Sequence, residues 1–170
     1  MKIKITAIWM GAALAAGLMT ASAVPADTQV FSATLLGDNE VPPINTDGKA
    51  AFRMEVGNSI TFSLTFSDLS TPLAVSHLHF APTKVAGGVM IFLCGGGNQP
   101  VCPATTSGTI TGTITEANVT GPAGQGINPG DLASALEAVR DDNAYANMHT
   151  TKFPSGEIRG QVERRRKVKD

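Results

Sequence analysis

Short segments in which apolar and polar residues alternate constrain this fold more than any other feature of the sequence. Residues 60–67 alternate apolar residues with threonine and serine, and residues 51–56 alternate them with charged residues. One face of each segment can be buried while the other stays hydrated, which is typical of β-strands. The Gly57-Asn58 pair between them predicts a turn, so the two segments form a hairpin.

Six further segments favour strands, and one favours a helix. Residues 89–93 are continuously apolar, which we interpret as a central strand buried on both faces. Asp131 precedes an apolar pattern that predicts a short helix ending near Arg140. The other predicted strands cover residues 29–36, 75–80, 108–115, 144–150 and 157–163. We therefore expect an all-β protein, an antiparallel β-sandwich or barrel of about eight strands with one short helix.

The two ends of the chain differ from its body. Residues 1–23 combine lysines, an apolar run and a small-residue cleavage site, Ala21-Ser22-Ala23, and this pattern predicts a signal peptide. We therefore expect the mature protein in the periplasm or outside the cell. The apolar run is short for a membrane span, so we expect none once the signal is removed. Residues 163–170 form a basic tail that we expect to be frayed.

The body between these ends, residues 24–162, is acidic. It carries 12 acidic residues and 6 basic ones. Nucleic-acid binding depends on positive charge, so we do not expect nucleic acid as a partner. The length of 170 residues fits a single domain.

The sequence contains two cysteines, Cys94 and Cys102, separated by a glycine-rich spacer. An exported protein meets an oxidising environment, and the spacer can fold back on itself, so we predict a disulfide bond. A metal site built on the two thiolates would need further ligands nearby and a reducing environment.

The three histidines are the best candidates for a functional site. His77 and His79 lie two apart in a predicted strand, so both rings leave the same face of the sheet. His149 lies in another predicted strand, on the same face as Tyr145 and Asn147. If the two strands are neighbours, the three imidazoles converge and suffice for a copper or zinc ion with one open coordination position.

A structural role is the alternative interpretation of the same residues. Buried histidines are often held by hydrogen bonds, and Asn147, Thr150 and Glu157 offer acceptors. Glu157 and Arg159 share one face of the last strand, which suggests a partly buried ion pair. Asn147, Glu157 and Arg159 would then form a polar network that fixes the sheet register. The sequence shows no nucleophile, metalloprotease or nucleotide-binding motif that would indicate an enzyme.

Four segments in this order resemble the CHRD (chordin) domain family. They are Glu40-Val41-Pro42-Pro43, Ser76-His77-Leu78-His79 with Ala81-Pro82, Tyr145-Ala146-Asn147-Met148-His149-Thr150, and Gly156-Glu157-Ile158-Arg159-Gly160. The resemblance assigns residues 24–162 to such a domain. It implies an extracellular all-β module, present in repeats in the growth-factor antagonist chordin and singly in many bacterial exported proteins.

The resemblance also implies a distant similarity to the copper/zinc superoxide dismutase barrel, which carries a His-x-His strand. That enzyme holds two metal ions with more histidines than the three present here, so we do not expect dismutase activity. Two main hypotheses remain, and a metal-dependent enzyme is a third that ranks last. The first is a non-catalytic binding or structural module with an unknown extracellular ligand or protein partner, and the second is a copper- or zinc-binding protein that uses His77, His79 and His149.

Overall fold

A computed structural model describes residues 28–165 of the chain, and this part is built almost entirely from β-strands. The predicted signal peptide and the end of the basic tail lie outside the described residues. The strands are β1 (Gln29–Leu36), β2 (Lys49–Val56), β3 (Ile60–Ser67), β4 (Leu73–Phe80), β5 (Gly88–Cys94), β6 (Gly108–Ile114), β7 (Ala144–Thr150), β8 (Ile158–Gln161) and β9 (Glu163–Arg164). The α-helix in the described residues is α1 (Leu132–Arg140).

The strands form one antiparallel sheet that curls into a nearly closed barrel. Their order is β5-β4-β7-β8-β1-β2-β3-β6, and the two-residue β9 also pairs with β1. Ile91 of β5 forms an isolated bridge with Val119, just beyond β6, so the two ends of the sheet approach each other. The expected antiparallel all-β fold is confirmed, and of the two expected forms it is the barrel. Bringing the ends of the sheet together reduces the exposure of strand edges.

The hydrophobic core fills the inside of the barrel. Alternate residues of each strand point inward, as in β3, where the four apolar positions are buried and the hydroxyl positions are exposed or half-buried. The largest apolar side chains that are fully buried are Phe31, Leu35, Phe52, Met54, Leu64, Leu78, Met90, Ile91, Leu93, Met148 and Ile158. Burial of these side chains is the main stabilising contribution.

Two expectations about strands need correction. Segment 89–93 lies in β5, which stands at one end of the strand order rather than at its centre. Both of its faces are apolar, because Phe92 packs against His77 on the outer face while Ile91 packs into the core. The basic tail is not frayed from its start, since Glu163 and Arg164 pair with β1.

The helix cap and the disulfide bond were predicted correctly. The side chain of Asp131 accepts a hydrogen bond from the backbone N–H of Ser134 and caps α1, as predicted. Cys94 and Cys102 form the predicted disulfide, with their Cα atoms 4.9 Å apart. Within the described residues, no helix has the length and apolar character needed to cross a bilayer.

Candidate metal centre

The three histidines lie together on the outer face of the barrel, opposite the hydrophobic core. All seven residues of β7 are buried, so both faces of this strand are covered. The inner face meets the core. The outer face is covered by the β1–β2, β4–β5 and β7–β8 loops, which supply hydrogen-bonding partners to its side chains.

Strand pairing brings the histidines together. β4 and β7 are neighbours, with Val75 opposite His149 and His77 opposite Asn147. His149 therefore lies diagonally across from His77, and His79 follows two residues along β4. The ring centroids are 4.7 Å apart for His77 and His79, and 4.6 Å apart for His77 and His149. Each histidine is less than a tenth exposed.

Backbone carbonyls orient two of the three rings. The Nδ1–H of His79 donates to the carbonyl oxygen of Gly87 at 2.9 Å, and that of His149 donates to the carbonyl of Pro154 at 3.0 Å. A carbonyl can only accept, so these contacts assign the proton to Nδ1 and leave Nε2 with a free lone pair. Such a bond on the outer nitrogen is the usual companion of a metal-ligating histidine.

Three ring nitrogens of the cluster, one from each histidine, have no hydrogen-bonding partner in the described residues. The Nε2 atoms of His79 and His149 and the Nδ1 atom of His77 are fully buried without a hydrogen bond. Buried polar atoms are rarely left unpaired, because they forgo hydration without gaining a bond. Three such atoms in one cluster indicate a site suited to a ligand that accepts nitrogen lone pairs.

The environment keeps the rings neutral. Burial, together with the nearby rings of His149 and His79, lowers the pKa of His77 to about 3. Burial also lowers the pKa of His79 to about 4, although its bond to Gly87 acts in the opposite direction. Burial likewise lowers the pKa of His149. Neutral imidazole is the form that binds metals.

The spacing of the nitrogens comes close to that of a metal site. One ligand atom from each histidine lies within 4.8 Å of the other two, and no carboxylate or thiolate of the described residues joins this group. Two ligands of a tetrahedral zinc ion lie about 3.4 Å apart when each bond is about 2.05 Å. The rings would have to move closer together for all three nitrogens to bind one zinc ion.

A stack of side chains supports the histidines on one side. The ring of Tyr145 lies against His79, and the guanidinium of Arg159 lies over the ring of Tyr145. Arg159 also donates to the carbonyl of Val85 at 3.0 Å. The stack thus connects β8 and the β4–β5 loop to the histidine cluster.

Asn147 lies beside this stack and holds the β1–β2 loop. Its amide donates to Oε1 of Glu40 at 2.6 Å and to the carbonyl of Ile158. Burial raises the pKa of Glu40, while the bond from Asn147 and the charge of Arg159 oppose the rise. A Cβ on Gly156 would lie 2.6 Å from the Glu40 carboxylate, so a residue without a side chain is required there.

The expected ion pair between Glu157 and Arg159 is not formed. The fully buried Glu157 carboxylate accepts hydrogen bonds from the hydroxyls of Thr46, Ser70 and Thr150 and from the N–H of Ser70. These donors come from the β1–β2 loop, the β3–β4 loop and the end of β7. The expectation that Asn147, Thr150 and Glu157 accept from the histidines is also wrong, since backbone carbonyls take that role.

Sequence reasoning missed several residues around the site. Glu40 and Gly87 come from loops, whose paths the strand pattern does not define. Glu40 lies in a segment that carries the family resemblance, and this resemblance was the one sequence feature that could have indicated its role. Phe92 packs edge-on against His77 with centroids 5.0 Å apart, and its place in an apolar run concealed this contact.

Comparison with known proteins supports the resemblance found in the sequence. The CHRD domain model matches residues 31–162, which is most of the chain. No match to a curated protein or to a solved structure was found.

Proposed function

Because the chain belongs to the CHRD domain family, we propose that it is an exported, non-catalytic binding module whose three-histidine site takes a copper or zinc ion. The observation that carries the metal proposal is the set of three buried nitrogens without partners on His77, His79 and His149. Export is supported by the predicted signal peptide and by the disulfide, which persists in oxidising compartments.

The chemistry of the donor set favours these two metals. Imidazole nitrogen binds copper and zinc well, whereas magnesium and calcium prefer oxygen ligands. The bonds from His79 and His149 to backbone carbonyls fix ring orientation before an ion arrives. When bound, the ion would have three imidazole ligands and an open coordination position.

A purely structural module is the second candidate. It is favoured by the contacts of Asn147 and Arg159, which tie the β1–β2 and β4–β5 loops to the sheet without any ligand. In this case the histidines fill space beneath the loops, and an unknown extracellular partner binds elsewhere.

Metal analysis separates the two candidates. The mature chain is purified without an affinity tag, supplied with micromolar copper or zinc, and measured by elemental mass spectrometry. We expect close to one equivalent of one metal in the wild-type protein and none in His77→Ala or His79→Asn. Phe92→Leu is the matched control, because Phe92 touches His77 but offers no ligand atom.

The outcomes lead to different conclusions. A folded wild-type protein that retains neither metal, or a His77→Ala variant that keeps a full equivalent, contradicts the metal site. Absence of metal together with a large loss of melting temperature in His77→Ala supports the structural module. Circular dichroism of each variant verifies that metal loss is not a result of unfolding.

A further inference from the structure

A second feature of the outer surface is a groove of about 600 Å³, separate from the histidine cluster. Its floor includes the hydroxyl side chains of Ser32 and Thr34 on the outer face of β1. The β4–β5 loop lies along one side, and the segment from Arg159 to Arg165 along another. This volume lies within the range of small-molecule sites, which is about 300–1,000 Å³.

The groove is positively charged although the body of the protein is acidic. Four cationic side chains line it, and Glu163 is the single acidic residue among its described lining. The cations are Arg53, Lys84, Arg159 and Arg165. Arg53 is already paired with Glu55, but the other three have no carboxylate within ion-pair distance in the described residues. The local charge therefore favours an anion.

Arg159 is the strongest indication of a built site. The residue is only 3% exposed, and within the described residues its guanidinium donates one hydrogen bond, to the carbonyl of Val85. A guanidinium has five N–H donors, so a single hydrogen bond leaves most of its donors available to a ligand. Arg159 forms neither a hydrogen bond nor a close ion pair with the buried Glu40 carboxylate, although its charge lowers the pKa of that group. Arg159 is one of the residues that line the groove.

We propose that this groove binds a small organic molecule that carries a carboxylate or phosphate group. Arg159 holds this oxyanion together with Lys84 and Arg165 at the rim. Arginine presents a planar fork that matches both groups. The volume leaves room for more than an isolated ion, and the hydroxyls of Ser32 and Thr34 supply neutral hydrogen-bonding partners for the rest of the molecule. This site goes beyond the metal proposal and uses none of the three histidines.

Calorimetric titration of the full mature chain tests the proposal. Succinate and inorganic phosphate are titrated separately at constant ionic strength, with sodium chloride as the balance salt. We expect saturable one-to-one binding of at least one of them, and the comparison identifies which group the site prefers. Lys84→Gln with Arg165→Gln should weaken this binding at least about fivefold, since two rim charges are lost.

A charge-matched pair of substitutions controls for net charge. Arg140→Gln with Lys152→Gln removes the same charge from exposed positions outside the groove and should change the affinity by less than about twofold. Arg159→Lys, which keeps the charge but loses the fork, should weaken binding further, with folding checked by melting temperature. Binding that does not saturate for either probe, or that falls equally in both double variants, overturns the proposal. Metal content of the same samples reports on the histidine site independently.

Discussion

The ring of Tyr145 stacks on the imidazole of His79, with their centroids 4.6 Å apart and their planes 2° from parallel. The guanidinium carbon of Arg159 also lies 3.6 Å from the centre of the tyrosine ring. Tyr145 is therefore the physical link between the groove and the histidine cluster. Aromatic and cation–π contacts of this kind are worth about 0.5–2 kcal/mol each when desolvated.

Removing the Tyr145 ring should weaken metal binding without removing a ligand. In Tyr145→Leu, His79 loses the surface that fixes its plane, and we expect the affinity for copper or zinc to fall about 10–100-fold, as for other supports of ligating histidines. Tyr145→Phe keeps the stack and should remain close to wild type. Competition with a chromophoric chelator measures both, and equal affinities for the leucine and phenylalanine variants would contradict the role.

Glu157 should make the protein sensitive to acid. Burial by itself raises the pKa of Glu157, but the hydrogen bonds from Thr150, Ser70 and Thr46 outweigh it and hold the pKa below its ordinary value of 4.5. A carboxyl whose pKa is lowered by folding stabilises the native state above its unfolded pKa. That contribution is lost as the pH falls through the folded pKa.

The Glu157→Gln variant tests this contribution. The amide cannot accept all the bonds of the carboxylate, so we expect a loss of about 1–3 kcal/mol at neutral pH and a flatter stability profile below the ordinary pKa. Denaturant melts across that acidic range measure it. Glu137→Gln, at an exposed position of α1, is the control. A parallel pH profile for wild type and Glu157→Gln would show that another group is responsible.

Gly160 should not tolerate a side chain. A Cβ at this position would lie 2.3 Å from the carbonyl oxygen of Thr34, so β8 would have to move away from β1. We expect Gly160→Ala to lower the unfolding free energy by more than about 2 kcal/mol, at the upper part of the range for overpacked sites. Gly124→Ala is the control, because nothing lies within 4 Å of a Cβ there. Similar melting temperatures for the two variants would contradict the close approach.

The disulfide should contribute measurably to stability. Closing the short loop between Cys94 and Cys102 restricts the unfolded chain, which is worth about 2–3 kcal/mol in the loop-entropy treatment. Reductant should therefore lower the melting temperature of the wild-type protein. The Cys94→Ser/Cys102→Ser variant should melt at the reduced wild-type temperature with or without reductant, and a wild-type protein unaffected by reductant would be inconsistent with this contribution.

The sequence predicted strands better than it predicted loops. Period-two alternation located most strands, because one buried and one hydrated face leave that pattern. It failed to place β5, since both faces of that strand are apolar: Phe92 contacts His77 on the outer face, and Ile91 belongs to the core. A continuous apolar run cannot distinguish a central strand from a terminal strand that is covered by loops.

The same limit applies to the candidate site. The alternation within β4 and β7 correctly placed each histidine on one face, and strand pairing then brought the three together. The partners of Glu157 and Arg159 were missed because Thr46, Ser70 and Val85 come from loops. Their positions depend on tertiary contacts between distant parts of the chain.

The position of the three imidazoles on the outer face of the barrel has a consequence for how an ion would bind and be released. The tightly packed interior lies on the opposite side of β4 and β7 and shares no side chain with the cluster. An ion could leave by displacing loop segments alone, with every interior contact kept. If the cluster binds an ion as proposed, release of that ion would leave the fold of the barrel intact.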